Sequence, residues 1–128
     1  MSVLIDTSVW VQHFKAHNPS LAELVLADLA LVHPMVILEL SCDTPPEPRQ
    51  RTLGDISLLR ACNQASHQEV MAFVEREKLY GLGCGLVDMT LLASTLLTAG
   101  AQLWTLDKRL ANLADRFGVA YLKATHLE

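Results

Sequence analysis

The sequence predicts an α/β protein in which helices flank a central parallel sheet. Three observations lead there. Short apolar runs such as Val3-Leu4-Ile5 and Leu103-Trp104-Thr105-Leu106 alternate with longer stretches of helical periodicity. Proline and glycine punctuate the joins, as at Pro19, Pro34, Gly81, Gly100 and Gly118. Of the 128 residues, 51% are apolar, enough to build one core, so residues 1–128 are expected to form one domain.

Residues 2–5 read as a short buried strand. Asp6-Thr7-Ser8 caps the helix that follows, with Val9, Trp10 and Phe14 as its apolar stripe. Asn18-Pro19-Ser20 opens a second helix running to about Leu29, with proline in its first turn. Residues 30–33 are a second strand, and Pro34 opens a helix carrying Glu39. Thr44-Pro45-Pro46-Glu47-Pro48 is a loop, because proline suits neither a helix interior nor a sheet ladder. Residues 48–62 and 66–78 are two helices, the second begun by a capping box of Ser66 and Glu69. The glycines at 81, 83 and 85 make a turn before helix 86–99, which Gly100 ends. Residues 102–106 are a strand, 107–117 a helix stopped by Gly118, and 119–122 a last strand.

Composition narrows the function. No apolar stretch is long enough for a membrane span, and no signal peptide is visible, so a cytoplasmic protein is expected. Cys42, Cys62 and Cys84 are odd in number and lack the C-x-x-C spacing, so they read as reduced thiols. The net charge of −4 has the wrong sign for binding nucleic acid by bulk electrostatics. A nucleic-acid role must then rest on metal ions, local cations or a basic partner.

Four carboxylates occupy apolar segments: Asp6, Glu39, Asp88 and Asp107. Acids are rarely buried without something to pair with. In an open parallel sheet, ligands gather at the carboxyl ends of the strands. Asp6 and Asp107 each follow a predicted strand and so point to the same sheet edge, and Asp88, after the glycine turn, is placed to reach it. Two carboxylates ~4 Å apart repel by roughly 4 kcal/mol at an effective dielectric of about 20. Either the four stay apart, as helix caps or surface groups, or protons or cations neutralise them. Hard oxygen ligands favour Mg²⁺ or Mn²⁺, which activate water and stabilise charge on a phosphoryl oxygen. Phosphodiester hydrolysis is the chemistry that suits this set.

At Leu4-Ile5-Asp6-Thr7-Ser8, Glu39, Gly85-Leu86-Val87-Asp88 and Trp104-Thr105-Leu106-Asp107, the chain resembles the PIN-domain family, specifically the VapC-type toxins of toxin–antitoxin pairs. The resemblance covers essentially the whole chain. It implies a single PIN-like domain with a five-stranded parallel sheet. It also implies a Mg²⁺- or Mn²⁺-dependent endoribonuclease that leaves a 5′-phosphate and a 3′-hydroxyl. Asp6, Glu39, Asp88 and Asp107 match the metal-holding catalytic quartet; Thr7, Ser8 and Thr105 match the supporting hydroxyls. The resemblance further implies transfer or ribosomal RNA as substrate, a homodimer, and inhibition by a VapB-type antitoxin. In that reading Lys15, Arg49, Arg51, Lys108 and Arg109 are candidate RNA contacts, with Arg49 and Arg51 favoured because they follow the proline loop.

Other signals point elsewhere or nowhere. His13 and His17 have i,i+4 spacing, but Phe14 stands where a metalloprotease helix has glutamate, so both read as surface histidines. The glycine turn lacks a following Lys-Ser/Thr and is no P-loop; Cys84 within it reads as a small filler. A two-component receiver domain shares the length and the acids at strand ends, but wants paired acids after the first strand where this chain has Thr7 and Ser8. An aspartate-nucleophile phosphatase wants a second Asp where Ser8 stands. A catalytically silent PIN-like interaction protein is the remaining alternative.

Overall fold

Val3, Leu4 and Ile5 are fully buried, because their strand, β1 (Ser2–Ile5), runs through the middle of the sheet. A strand covered on both faces needs such an uninterrupted apolar run. The computed structural model describes residues 1–121. In chain order β1 is followed by α1 (Thr7–Lys15), α2 (Pro19–Leu26), β2 (Ala30–Val32), α3 (Pro34–Ser41), α4 (Arg49–Ser57), β3 (Arg60–Ala61), α5 (His67–Glu77), α6 (Leu86–Leu96), β4 (Ala101–Trp104) and α7 (Lys108–Arg116).

The sheet is parallel throughout, in the order β3-β2-β1-β4. Val3 pairs with Ala30 on one side and Gln102 on the other. The chain leaves β1 toward β2, then returns to the opposite side of β1 to lay down β4. The strand order therefore reverses between β1 and β4, and the carboxyl ends of those strands face the crevice where such sheets bind ligands.

The sheet departs from expectation in three places. Residues 48–62 were expected to be one helix, but α4 ends at Ser57 and Arg60–Ala61 pairs with β2 as β3. Two exposed residues, one of them arginine, carry no strand signal; the backbone of β2 recruits them. The expected strand 119–122 is reduced to a single parallel bridge between Leu103 and Ala120, and its residue 122 lies outside the described residues. Among the described residues the sheet thus has four strands where five were expected. The strand expected over 102–106 stops at Trp104, which leaves Thr105 and Leu106 in the turn beyond it.

Helix starts follow their local chemistry. The Asn18 side chain accepts from the Ser20 and Leu21 amides with Pro19 in the first turn, and the Ser66–Glu69 capping box is complete. The ends are less well foreseen: α2 stops at Leu26, not Leu29, and α6 at Leu96, before the left-handed Gly100. α6 packs on β4 and α5. It buries Leu91 and Leu92 with Thr90, Ser94 and Thr95, whose hydroxyls turn inward; those of Thr90 and Thr95 donate to carbonyls one turn back, and that of Ser94 accepts from the Ala65 amide. No helix among the described residues is long and apolar enough to cross a membrane.

His33 caps α3 from the buried end of β2. Its Nδ1 accepts the Met35 amide, and its Nε2 is buried without a partner. Burial lowers its pKa from the usual 6.5. The unfolded chain therefore takes up the proton first. Stability should fall as pH drops through 6.5 and level off below the folded-state value. His33→Asn keeps a capping acceptor without the titration. Its denaturation midpoint should be flatter than that of wild type as the pH is lowered from neutral; equal slopes would refute the assignment.

Candidate active site

The carboxyl ends of β1 and β4 are tied together by side chains. The Asp6 amide donates to the Trp104 carbonyl, which puts the Asp6 side chain at the crevice. Asp6 is only 6% exposed. Although it occupies the N-cap position of α1, its carboxylate makes no cap hydrogen bond. Instead Oδ2 accepts from the Ser8 hydroxyl at 2.7 Å and the Thr105 hydroxyl at 2.8 Å. Those hydroxyls are themselves fixed: Ser8 Oγ accepts the Leu106 amide, and Thr105 Oγ1 accepts the Asp107 amide. A buried carboxylate is thereby held in one orientation by two donors.

The other three acids arrive from separate elements. Glu39, half-buried on α3, accepts from the Thr7 hydroxyl through Oε1, which ties α3 to the start of α1. Asp88, third residue of α6, accepts the Gly85 amide through Oδ2. Asp107 caps α7, its Oδ1 accepting the Arg109 and Leu110 amides. The helix-cap reading of Asp107 thus holds, while that of Asp6 does not.

Electrostatics connect the four. The Asp88 carboxyl is raised above its ordinary value first by burial, then by the charges of Asp6, Asp107 and Glu39, against the opposing Gly85 hydrogen bond. The ion pairs among the described residues, Arg60–Asp28 and Arg76–Glu77, involve none of these acids. Each acid has one oxygen committed to a protein donor and the other without one among the described residues. As they stand, no three His, Cys, Asp or Glu side chains among the described residues are arranged to hold one ion.

No family model matches the chain. Two curated proteins do. Ribonuclease VapC32 from Mycobacterium tuberculosis, in the CDC 1551 / Oshkosh and H37Rv strains, is 42% identical over 118 residues, covering 92% of this chain and 94% of the relative. The chain belongs to the VapC ribonuclease family.

In this VapC-family chain the expected RNA contacts have different fates. Arg49 turns back to donate to the Ser41 and Asp43 carbonyls, bracing the proline loop. Lys15 lines a pocket of about 490 Å³ with Val11, Phe14 and Asp43, one to two helical turns beyond Thr7 and Glu39. Arg51, Lys108 and Arg109 are exposed. Cys84, read from the sequence as a small filler, lies closer to the acids than that reading implied. Its thiol is raised by burial and by the charges of Asp88 and Asp107, with Arg109 opposing, so it borders the site. Its place immediately before Gly85-x-x-Asp88 would have been the signal only with the turn geometry in hand.

The hydroxyl pair on Asp6 makes a separate prediction. Removing it with Ser8→Ala plus Thr105→Val leaves a buried carboxylate without its orienting donors. Groups that orient metal ligands typically contribute 10–100-fold to activity or metal affinity. A loss of about that size in RNA cleavage rate is expected, and an unchanged rate would show that the hydroxyls serve folding alone.

Proposed function

We propose that the chain is a divalent-metal-dependent endoribonuclease, the toxin of a toxin–antitoxin pair, and that Asp6, Glu39, Asp88 and Asp107 are its catalytic and metal-holding groups. The observation that carries this reading is that four carboxylates, from four elements, feel one another's charge beside the ends of β1 and β4, with no cation paired to any of them among the described residues. An all-carboxylate donor set fits Mg²⁺ or Mn²⁺ better than a soft metal. Bound there, such an ion would supply an activated water and charge neutralisation at the scissile phosphate. The chain's own contribution is positional. Ser8 and Thr105 orient Asp6, Thr7 orients Glu39, and the Gly85 amide orients Asp88, leaving one oxygen of each acid directed to other uses.

The substrate in this reading is transfer or ribosomal RNA, cut in the cytoplasm to leave a 5′-phosphate. The inhibitor is a VapB-type antitoxin. A homodimer is supported by Met71, Tyr80 and Leu86, large apolar side chains exposed beside the glycine turn. The deciding experiment is cleavage of labelled total RNA by purified protein with Mg²⁺ or Mn²⁺, and with chelator. Discrete metal-dependent fragments are expected. Absence of cleavage under every metal condition, with antitoxin verified absent, would return the chain to the silent interaction-protein reading.

A further inference from the structure

We propose that Gly83 and Arg109 form a phosphate seat at the rim of the acid cluster, in which the Arg109 guanidinium takes an RNA backbone phosphate next to the scissile one. The inference rests on the nuclease reading and names the cation of this chain that meets the substrate.

The seat is visible as missing volume. A Cβ built on Gly83 would lie 2.7 Å from Arg109 Nη1 and 3.0 Å from both Cδ and Cζ. The arginine therefore occupies the space that any other residue at 83 would fill. Gly83 also has φ +83°, in the left-handed region that glycine enters without strain. Glycine is needed there for the turn, and a Cβ would push the flexible end of the Arg109 side chain off its place.

The guanidinium so placed has no described partner. Its neighbour Asp107 accepts the α7 amides through Oδ1, including the amide of Arg109 itself, and makes no ion pair with the guanidinium. Arg49, Arg60, Arg76 and Arg116 are each engaged with carbonyl or carboxylate groups. Arg51 and Arg109 are the arginines among the described residues with no such engagement, and the charge of Arg109 is the one that acts on Cys84 among Asp88 and Asp107. A cation beside several acids that pairs with none keeps its planar fork of donors for an external anion, and a phosphate matches that fork in two parallel hydrogen bonds. In a chain of net charge −4, a cation at this spot also offsets the repulsion that an incoming RNA backbone meets.

Gly81 supplies the control. It too has positive φ (+72°), but open space where a Cβ would stand. Gly81→Ala reproduces the backbone strain without touching Arg109.

The experiment measures binding of labelled bulk transfer RNA in chelator across about 50–200 mM salt, for wild type, Arg109→Ala, Gly83→Ala and Gly81→Ala. Each lost phosphate contact should flatten the slope of log affinity against log salt by about 0.7–0.9. Arg109→Ala and Gly83→Ala should both show that change, with affinity down about tenfold at low salt. Gly81→Ala should track wild type. If Gly83→Ala does not fold, Arg109→Ala against wild type still decides. Wild-type slope in Arg109→Ala, equal loss in Gly81→Ala and Gly83→Ala, or no RNA binding by wild type would overturn the seat. Cleavage of the same RNA by wild type with Mg²⁺ is run alongside. Cleavage with unchanged slopes sinks the seat and spares the nuclease; slope changes without cleavage do the reverse.

Discussion

Asp6→Asn should reduce metal-dependent RNA cleavage by at least about a hundredfold while leaving the fold intact, since losing the proposed metal ligand should exceed the 10–100-fold typical of the groups that orient ligands. The substitution is nearly isosteric, and an amide oxygen can still accept from the Ser8 and Thr105 hydroxyls that now hold Oδ2. What disappears is the negative charge. Asp6 is the most enclosed of the four acids, and its amide is bonded to β4, so its position is set by the sheet and not by a flexible loop. Initial rates on labelled RNA, measured beside a thermal melt, check both halves. Cleavage near the wild-type rate in a folded Asp6→Asn protein would remove Asp6 from the catalytic set.

The site was legible in the sequence largely because acids on apolar segments are energetically conspicuous. Asp6 and Glu39 stood out by their neighbours alone. The convergence of Asp6 and Asp107 followed from two strands being parallel, which the structure bears out with β1 and β4 directly paired. What local pattern could not show was how each carboxylate is oriented. The bonds from Thr7 to Glu39 and from Thr105 to Asp6 span 32 and 99 residues. The resemblance to a known family marked those hydroxyls; periodicity and composition did not.

The fold was legible where side chains decide and illegible where the backbone does. β1 announces itself as an apolar run, and the caps at Asn18 and Ser66 as local hydrogen-bonding chemistry. β3 is two exposed residues held by main-chain pairing to β2, and the bridge at Ala120 is held by main-chain bonds of Leu103, which donates to the Val119 carbonyl and accepts from the Tyr121 amide. Neither leaves a trace in composition. Arg49 illustrates the same divide at the surface: its place after the proline loop was correctly read, but the carbonyls it braces were not foreseeable from side-chain pattern.

Asp88→Asn should make the metal-free protein more stable at neutral pH, read as a rise in Tm, because it removes both the cost of burying the charge and the repulsion of its neighbours. Burial and the charges of Asp6, Asp107 and Glu39 hold the Asp88 carboxyl above its usual 3.8. The folded chain therefore keeps that proton longer than the unfolded chain, and stability is lost as pH rises from 3.8 through the folded-state value. At neutral pH the whole penalty is present. Asparagine retains an acceptor for the Gly85 amide and carries no charge, so the gain should vanish once the pH falls below about 4. Asp88 is half-buried, so added salt should narrow the difference. A divalent cation supplies the same relief by another route. Mg²⁺ should raise the Tm of wild type by binding the folded state alone, and raise that of Asp88→Asn less, because a ligand has gone. A variant less stable than wild type in chelator, together with a wild-type Tm indifferent to Mg²⁺, would mean that the four charges do not share a site. The two measurements are coupled for a physical reason: the repulsion that weakens the empty cluster is the same field that draws a cation into it.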